Sequence, residues 1–235
     1  MYISFEYIII LIPALILTVY AQSKVLNTFK KYSSVRCRSG MTGAEAARRI
    51  LNSNGIYDVE IQPIGGSLTD NYDPSRKVLR LSQDVYGSTS LAAVGVAAHE
   101  SGHAIQHSRN YAPLRLRSAL VPLTNLTSRM AMPFIVLGIL FGAYWGSNLG
   151  YTIVEIGIIF FAVSVVFSLV TLPVEFNASR RAVNVLQATG IVDPDEVGAV
   201  RKVLSAAALT YVAAAATAVA SLLRLILIFG GRRRN

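Results

Sequence analysis

The densest chemistry in this 235-residue chain is His99-Glu100-Ser101-Gly102-His103, two imidazoles four residues apart with a carboxylate beside the first. On an α-helix, positions i and i+4 stack on one face, so both rings can reach one metal ion, and zinc accepts that pair of nitrogens. Glu100 points off that line. It cannot share the ion from the same turn, but it can take a proton from a water beside it. The pattern H-E-x-x-H therefore predicts His99 and His103 as metal ligands, Glu100 as general base and a single catalytic Zn2+, which is the equipment for hydrolysing a peptide bond. His107 repeats the spacing one helical turn further on, a rise of roughly 6 Å that takes it out of reach of the same ion.

The pair needs a rigid helix to hold it. Ser88-Thr89-Ser90 offers N-cap candidates before Leu91-Ala-Ala-Val-Gly-Val-Ala-Ala98, an apolar run too short to span a bilayer and suited to a buried helix. Gly95, Gly102 and the alanines leave its backbone approachable, and Gln106 to Asn110 end it in polar company. Upstream, Met41 to Leu51 reads as an amphipathic helix opened by Thr42 and ended by Asn54-Gly55. Val59 to Ile64 alternates like a strand, Gly65-Gly66 and Asn71 to Ser75 mark turns, and Lys77 to Ser82 is a second strand. The expected unit is a small α+β domain with a sheet beside the H-E-x-x-H helix, whose edge could hold an extended peptide by main-chain hydrogen bonds.

The rest of the chain belongs to a bilayer. Hydrophobic residues make up 53% and charged residues only 15%, well outside the usual balance of a water-soluble domain. Apolar segments lie at about residues 2–21, 119–145, 151–172 and 206–229, each near the ~20 residues that cross a membrane. The first is no signal peptide, since Glu6 precedes its apolar core and Lys24, Lys30, Lys31, Arg36 and Arg38 follow. Of 22 Lys and Arg, 14 fall between Lys24 and Arg129 and none between Met130 and Leu172. That bias puts the N-terminus outside, residues 23–117 in the cytoplasm and the tip of a 118–172 hairpin outside. The net charge of +9 follows from topology, and without interleaved aromatics it does not make a nucleic-acid platform.

The expected organisation is an anchor at 1–22, a catalytic segment at 23–117, a hairpin at 118–172, a cytoplasmic return at 173–204 and an apolar helix with a basic tail at 205–235. Glu155 sits near the start of the third apolar segment, at the outer headgroup level. Pro173 is placed to start a helix in the return, and Asp193-Pro194-Asp195-Glu196 to open the next. The last helix either spans a fourth time or lies on the inner interface, with Arg232 to Arg234 on anionic headgroups. Cys37, the single cysteine, can form no internal disulfide.

The order of an N-terminal anchor, A-A-H-E-S-G-H-A-I-Q-H, a membrane hairpin and L-P-V-E-F-N-A-S-R-R-A resembles the YugP-type neutral zinc metallopeptidases of bacterial membranes over nearly the whole chain. The resemblance implies a membrane-anchored zinc endopeptidase of the gluzincin kind, and the fold expected is a mainly α multi-pass membrane protein with a zincin-like α+β catalytic unit that the basic residues place in the cytoplasm. More distantly the chain is similar to HtpX-like and CAAX prenyl proteases, where a second helix supplies a glutamate ligand from E-x-x-x-D. Glu175 matches that glutamate, and Ser179 stands where the wider group has its aspartate. Elimination leads to the same residue. A catalytic zinc wants three protein ligands, position 109 is an arginine, and His107 is too far along the helix. The other acids face outside, start helices or border strands, which leaves Glu175. Its alternative use is to complement a helix N-terminus or to pair with Arg180 or Arg181.

Two rivals follow from the same residues: an intramembrane zinc protease, whose motif helix would have to be a span, and a catalytically idle zinc-containing membrane adaptor. The substrates expected are proteins or peptides associated with the membrane, and the bilayer itself is a partner. Tyr72, Tyr111, Tyr211 and Arg180 are all chemically capable of stabilising an oxyanion. The topology is tested by placing a cysteine at Ser147 or at Ser75 in a Cys37→Ser background. An impermeant thiol reagent added to intact cells should label the first and spare the second, and the reverse pattern would move the metal site outside.

Overall fold

In the computed structural model, residues 9–145 and 148–230 are described. The start of the first apolar segment, Gly146 and Ser147 of the hairpin tip, and the arginine tail lie outside them. The chain divides into two units. One combines residues 21–115 with 173–210, and the other combines the N-terminal stretch to Tyr20 with 116–172 and the chain from Tyr211 onward.

The first unit holds the α+β structure. Helix α1 (Leu11–Ser33) delivers the chain into it, and α2 (Gly43–Ser53) follows. Thr42 and Glu45 form a reciprocal capping box at the start of α2, and Asn54 caps its end. Strands β1 (Glu60–Ile64), β2 (Asn71–Asp73) and β3 (Val78–Ser82) make a sheet in the order β1-β3-β2, with β1 parallel and β2 antiparallel to β3. Strand β2 occupies residues that read as a turn. Its Asn-Tyr-Asp sequence has little intrinsic strand character, and it is held by pairing with β3 and by Arg80, whose guanidinium reaches Asn71 Oδ1 at 3.3 Å and Asp73 Oδ2 at 3.4 Å. The turn itself comes one step later, where Asp73 accepts hydrogen bonds from the Ser75 and Arg76 N–H groups.

A short helix α3 (Gln83–Tyr86) leads to α4 (Leu91–Ser108), the H-E-x-x-H helix. Ser90 is its N-cap, with the hydroxyl accepting from the Ala93 N–H at 3.1 Å. Ile50 and Leu51 from α2, Leu79 and Leu81 from β3, and Val94 from α4 are completely enclosed.

Three long helices complete the chain: α5 (Ala112–Trp145), α6 (Asn148–Ala188) and α7 (Val197–Gly230). Each is long and apolar enough to cross a membrane. In the second unit Leu126, Met132, Ile159, Val166 and Leu227 expose their side chains, a surface that water disfavours and lipid does not. Its hairpin closes through small residues. A Cβ on Gly150 would come within 2.7 Å of the Gly138 carbonyl oxygen, and one on Gly157 within 2.9 Å of that of Ala131. Helix α7 is continuous across the expected boundary at residue 205, and its first part, to Thr210, belongs to the α+β unit.

Pro173 does not begin a helix. Helix α6 runs through it unbroken from Asn148 to Ala188. A proline removes one backbone hydrogen bond from such a ladder, and the enclosure of Val174, Glu175, Ala178 and Ala182 immediately afterwards holds the helix in register. Glu175 therefore lies mid-helix, where no N-terminal dipole needs complementing. Leu186 and Ile191 continue this buried stripe into the shared core.

Helices α4 and α6 meet at Gly102. A Cβ there would lie 2.7 Å from the Ala178 carbonyl oxygen and 3.3 Å from its Cα, so the two backbones approach as only glycine allows. Gly102→Ala should push the helices apart and destabilise the fold by ~1–3 kcal/mol. A lowered thermal midpoint in detergent, against an unchanged one for the solvent-facing Ser53→Ala, is the measurement.

Candidate metal centre

Helix α4 places His99 and His103 on one face, their rings 4.8 Å apart between centroids and nearly perpendicular at 87°. Helix α6 brings Glu175 against both. Glu175 Oε2 lies 3.2 Å from His99 Nε2 and 3.5 Å from His103 Nε2. The side chain of Glu175 is only 2% exposed, and the two imidazoles 13% and 11%. Ligands of a tetrahedral zinc at its usual bond lengths stand about 3.3–3.6 Å from one another, so these donor separations fit that ion. Glu100 lies beside them, its carboxylate grouped with His99 and His103 within 4.8 Å.

The electrostatics point the same way. Burial by itself raises a carboxyl pKa. At Glu175 the hydrogen bonds to His103 and His99 overcome that effect and hold the group well below the usual carboxylate range. Burial correspondingly pulls His103 down, and Glu175 with Glu100 more than reverses it, leaving the imidazole raised. The pocket stabilises positive charge at the point where the three donors converge, and a metal cation satisfies that demand as a proton would.

Around the donors runs a neutral hydrogen-bond shell. Gln106 Nε2 donates to the Val174 carbonyl at 2.8 Å and to Asn177 Oδ1 at 3.0 Å. A carbonyl can only accept, so the orientation of the amide follows, and Gln106 Oε1 must accept from His103 Nδ1–H at 3.0 Å. In the neutral imidazole that proton leaves the lone pair of His103 on Nε2, the nitrogen facing Glu175. His99 Nδ1 meets the Ser179 hydroxyl at 3.1 Å, so the serine standing in place of an aspartate still orients the ring. Arg181 closes the chain, donating from Nε to Asn177 Oδ1 at 2.7 Å with its guanidinium over the Tyr111 ring at 5.9 Å.

The structure thus brings together all four residues singled out in the sequence, His99, Glu100, His103 and Glu175. Glu175 faces the two imidazoles, while Arg181 is turned to Asn177 and Arg180 is solvent-exposed. His107 stays apart, its Nδ1 2.9 Å from the Tyr72 hydroxyl. Burial, then Asp58 and Asp73, pushes that phenol up to about 12. Gln106 escaped the sequence reading, although its position three residues after His103 places it on the same helical face.

Two imidazoles and a carboxylate, with a second carboxylate at hand, are groups that could hold a zinc ion, here on a chain with long apolar helices. Residues 7–230 match the family model described as "putative neutral zinc metallopeptidase", and the chain belongs to that family. It is 49% identical over 230 residues to the "putative membrane protease YugP" of Bacillus subtilis (strain 168), covering 97% of this chain and 99% of the relative. No solved structure matches it.

If the neutral shell orients the imidazoles, Ser179→Ala and Gln106→Ala should each weaken zinc binding by about 10- to 100-fold. Competition with a calibrated chelator measures this, and unaltered affinity in both would mean that helix packing alone sets the rings.

Proposed function

We propose that this chain is a membrane-embedded zinc metalloendopeptidase that hydrolyses peptide bonds at the cytoplasmic face. The observation that carries the reading is the single Glu175 oxygen facing both histidine Nε2 atoms at 3.2 and 3.5 Å. His99, His103 and Glu175 hold one zinc. When bound, the ion supplies Lewis acidity, making a water acidic near neutral pH and polarising a carbonyl. Glu100, one residue from His99 and with its carboxylate within 4.8 Å of the two imidazoles, takes the proton of the attacking water and returns it to the leaving amine.

Family membership supports the protease assignment. The 14 basic residues between Lys24 and Arg129 support a cytoplasmic site with the N-terminus outside. Strand β2 is the edge strand beside α4, paired on one side with β3, and its outer edge suits an extended peptide drawn from a membrane-associated protein. Of the groups considered for the oxyanion, Tyr72 is committed to His107 and Tyr111 lies under Arg181. The intramembrane alternative is disfavoured because α4 is not one of the long apolar helices.

Glu100→Gln should keep stoichiometric zinc and the fold while lowering peptide cleavage by ~10²-fold or more. Full activity in that variant would remove Glu100 as the base. Glu175→Ala should lose most of its zinc at chelator concentrations the parent withstands. Stoichiometric zinc at parental affinity would exclude Glu175 as a ligand, whatever the activity.

A further inference from the structure

We propose that the α+β unit carries a binding site for the headgroup of an anionic phospholipid, in a groove between the second half of α1 and the first turns of α7. The groove encloses about 670 Å³ and is lined by Lys24, Lys31, Arg201 and Lys202, with Thr28 and Ser205 among its neutral lining groups and no acid. On α1, Lys24, Thr28 and Lys31 follow one face at spacings of four and three. On α7, Arg201 and Lys202 stand four and three residues before Ser205 and line the opposite wall.

Three cations elsewhere in this unit meet carboxylates. Arg38 pairs with Asp193 and Asp195, Lys77 with Asp58 and Arg80 with Asp73. Lys31, Arg201 and Lys202 form no ion pair among the described residues. A positive-inside bias accounts for the number of cations near a membrane. It does not account for two segments far apart in sequence folding to converge theirs on one concave surface, where like charges repel. A phosphate-bearing anion relieves that repulsion, and hydroxyls of Thr28 and Ser205 add hydrogen-bond donors.

The source of the phosphate is indicated by the helix that forms one wall. Lys24 comes four residues after Tyr20, and Ile16, Val19 and Tyr20 of the same helix are exposed. A headgroup in the groove leaves acyl chains to run along that apolar face, an arrangement a free phosphate does not use. Basic residues close to an anionic leaflet each contribute appreciably to such binding. The inference does not depend on the metal centre.

The test uses full-length protein in neutral detergent, with lipid adducts counted by native mass spectrometry against phosphatidylglycerol, phosphatidylcholine and inorganic phosphate. The parent should retain phosphatidylglycerol and not phosphatidylcholine. Lys31→Gln/Arg201→Gln/Lys202→Gln should weaken phosphatidylglycerol on the order of a hundredfold, whereas Arg76→Gln/Lys77→Gln/Arg115→Gln, with the same loss of charge, should not. The charge-keeping Lys31→Arg/Arg201→Lys/Lys202→Arg should bind as the parent does. Gly198 also lines the groove, with open space where a Cβ would stand. Gly198→Phe fills the groove with every cation intact and should also reduce binding, so the proposal stays testable should the triple variant fold poorly. Equal retention of both lipids, an equal loss in the two charge-removing variants, or full binding by Gly198→Phe would overturn it. Displacement of the lipid by equimolar inorganic phosphate would identify a free anion as the ligand and equally overturn it.

Discussion

The candidate metal centre depends on the contact between Gly102 of α4 and the Ala178 carbonyl of α6. The two histidines sit on one helix and the carboxylate on another, and a side chain as short as glutamate reaches both rings only when the backbones nearly touch. Glycine at position 102, between Ser101 and His103, removes the atom that would hold them apart. Everything near the crossing follows from that separation. Ser179 and Asn177 flank Ala178, and the first reaches His99 while the second accepts a hydrogen bond from Gln106 Nε2. A one-residue shift of α6 would misplace the ligand candidate and its supports together.

Burial makes the arrangement demanding. A carboxylate on a side chain only 2% exposed is stable only when its charge is answered by partners in the protein, and here two imidazoles face it, their outer nitrogens held by neutral partners. A serine hydroxyl and a glutamine amide orient the rings without adding negative charge, so the pocket keeps two carboxylates, Glu175 and Glu100, for two histidines. Gln106 is itself completely buried and both its amide atoms are engaged, by His103, Val174 and Asn177. A network in which every polar member is satisfied gives rigidity without an unpaired group.

The same long helices serve both units. Along α6 the apolar stretch gives way after Leu172 to the buried Val174-Glu175 face, and along α7 the charged first turns give way to an alanine-rich and then aliphatic stretch. At the start of α7 the buried Glu196 accepts hydrogen bonds from the Arg38 and Asp193 N–H groups, both at 2.9 Å. That carboxylate ties the entry of α7 to the chain leaving α1, which fixes the two walls of the basic groove.

Much of this was legible in one dimension. The i, i+4 histidines with their adjacent glutamate, the Ser90 and Thr42 caps, strands β1 and β3 and the long apolar helices are local patterns, and local patterns reflect local physics: helical periodicity, unsatisfied N–H groups and the length needed to cross lipid. Glu175 was reachable by elimination and by resemblance, because few acids lacked another use. Other features were invisible for a common reason. Strand β2 has no strand pattern of its own and exists because β3 offers an edge and Arg80 bridges Asn71 to Asp73. Pro173 reads as a helix start, yet lies inside α6 because packing on both sides outweighs one missing hydrogen bond. Gln106 looks like a polar helix end until Val174 and Asn177 arrive from α6 to orient its amide. Sequence determined the chemistry available and the helix that carries it. Tertiary structure decided which atoms meet, because the contacts that orient the donors join α4 to α6, whose contacting segments are separated by the whole apolar hairpin.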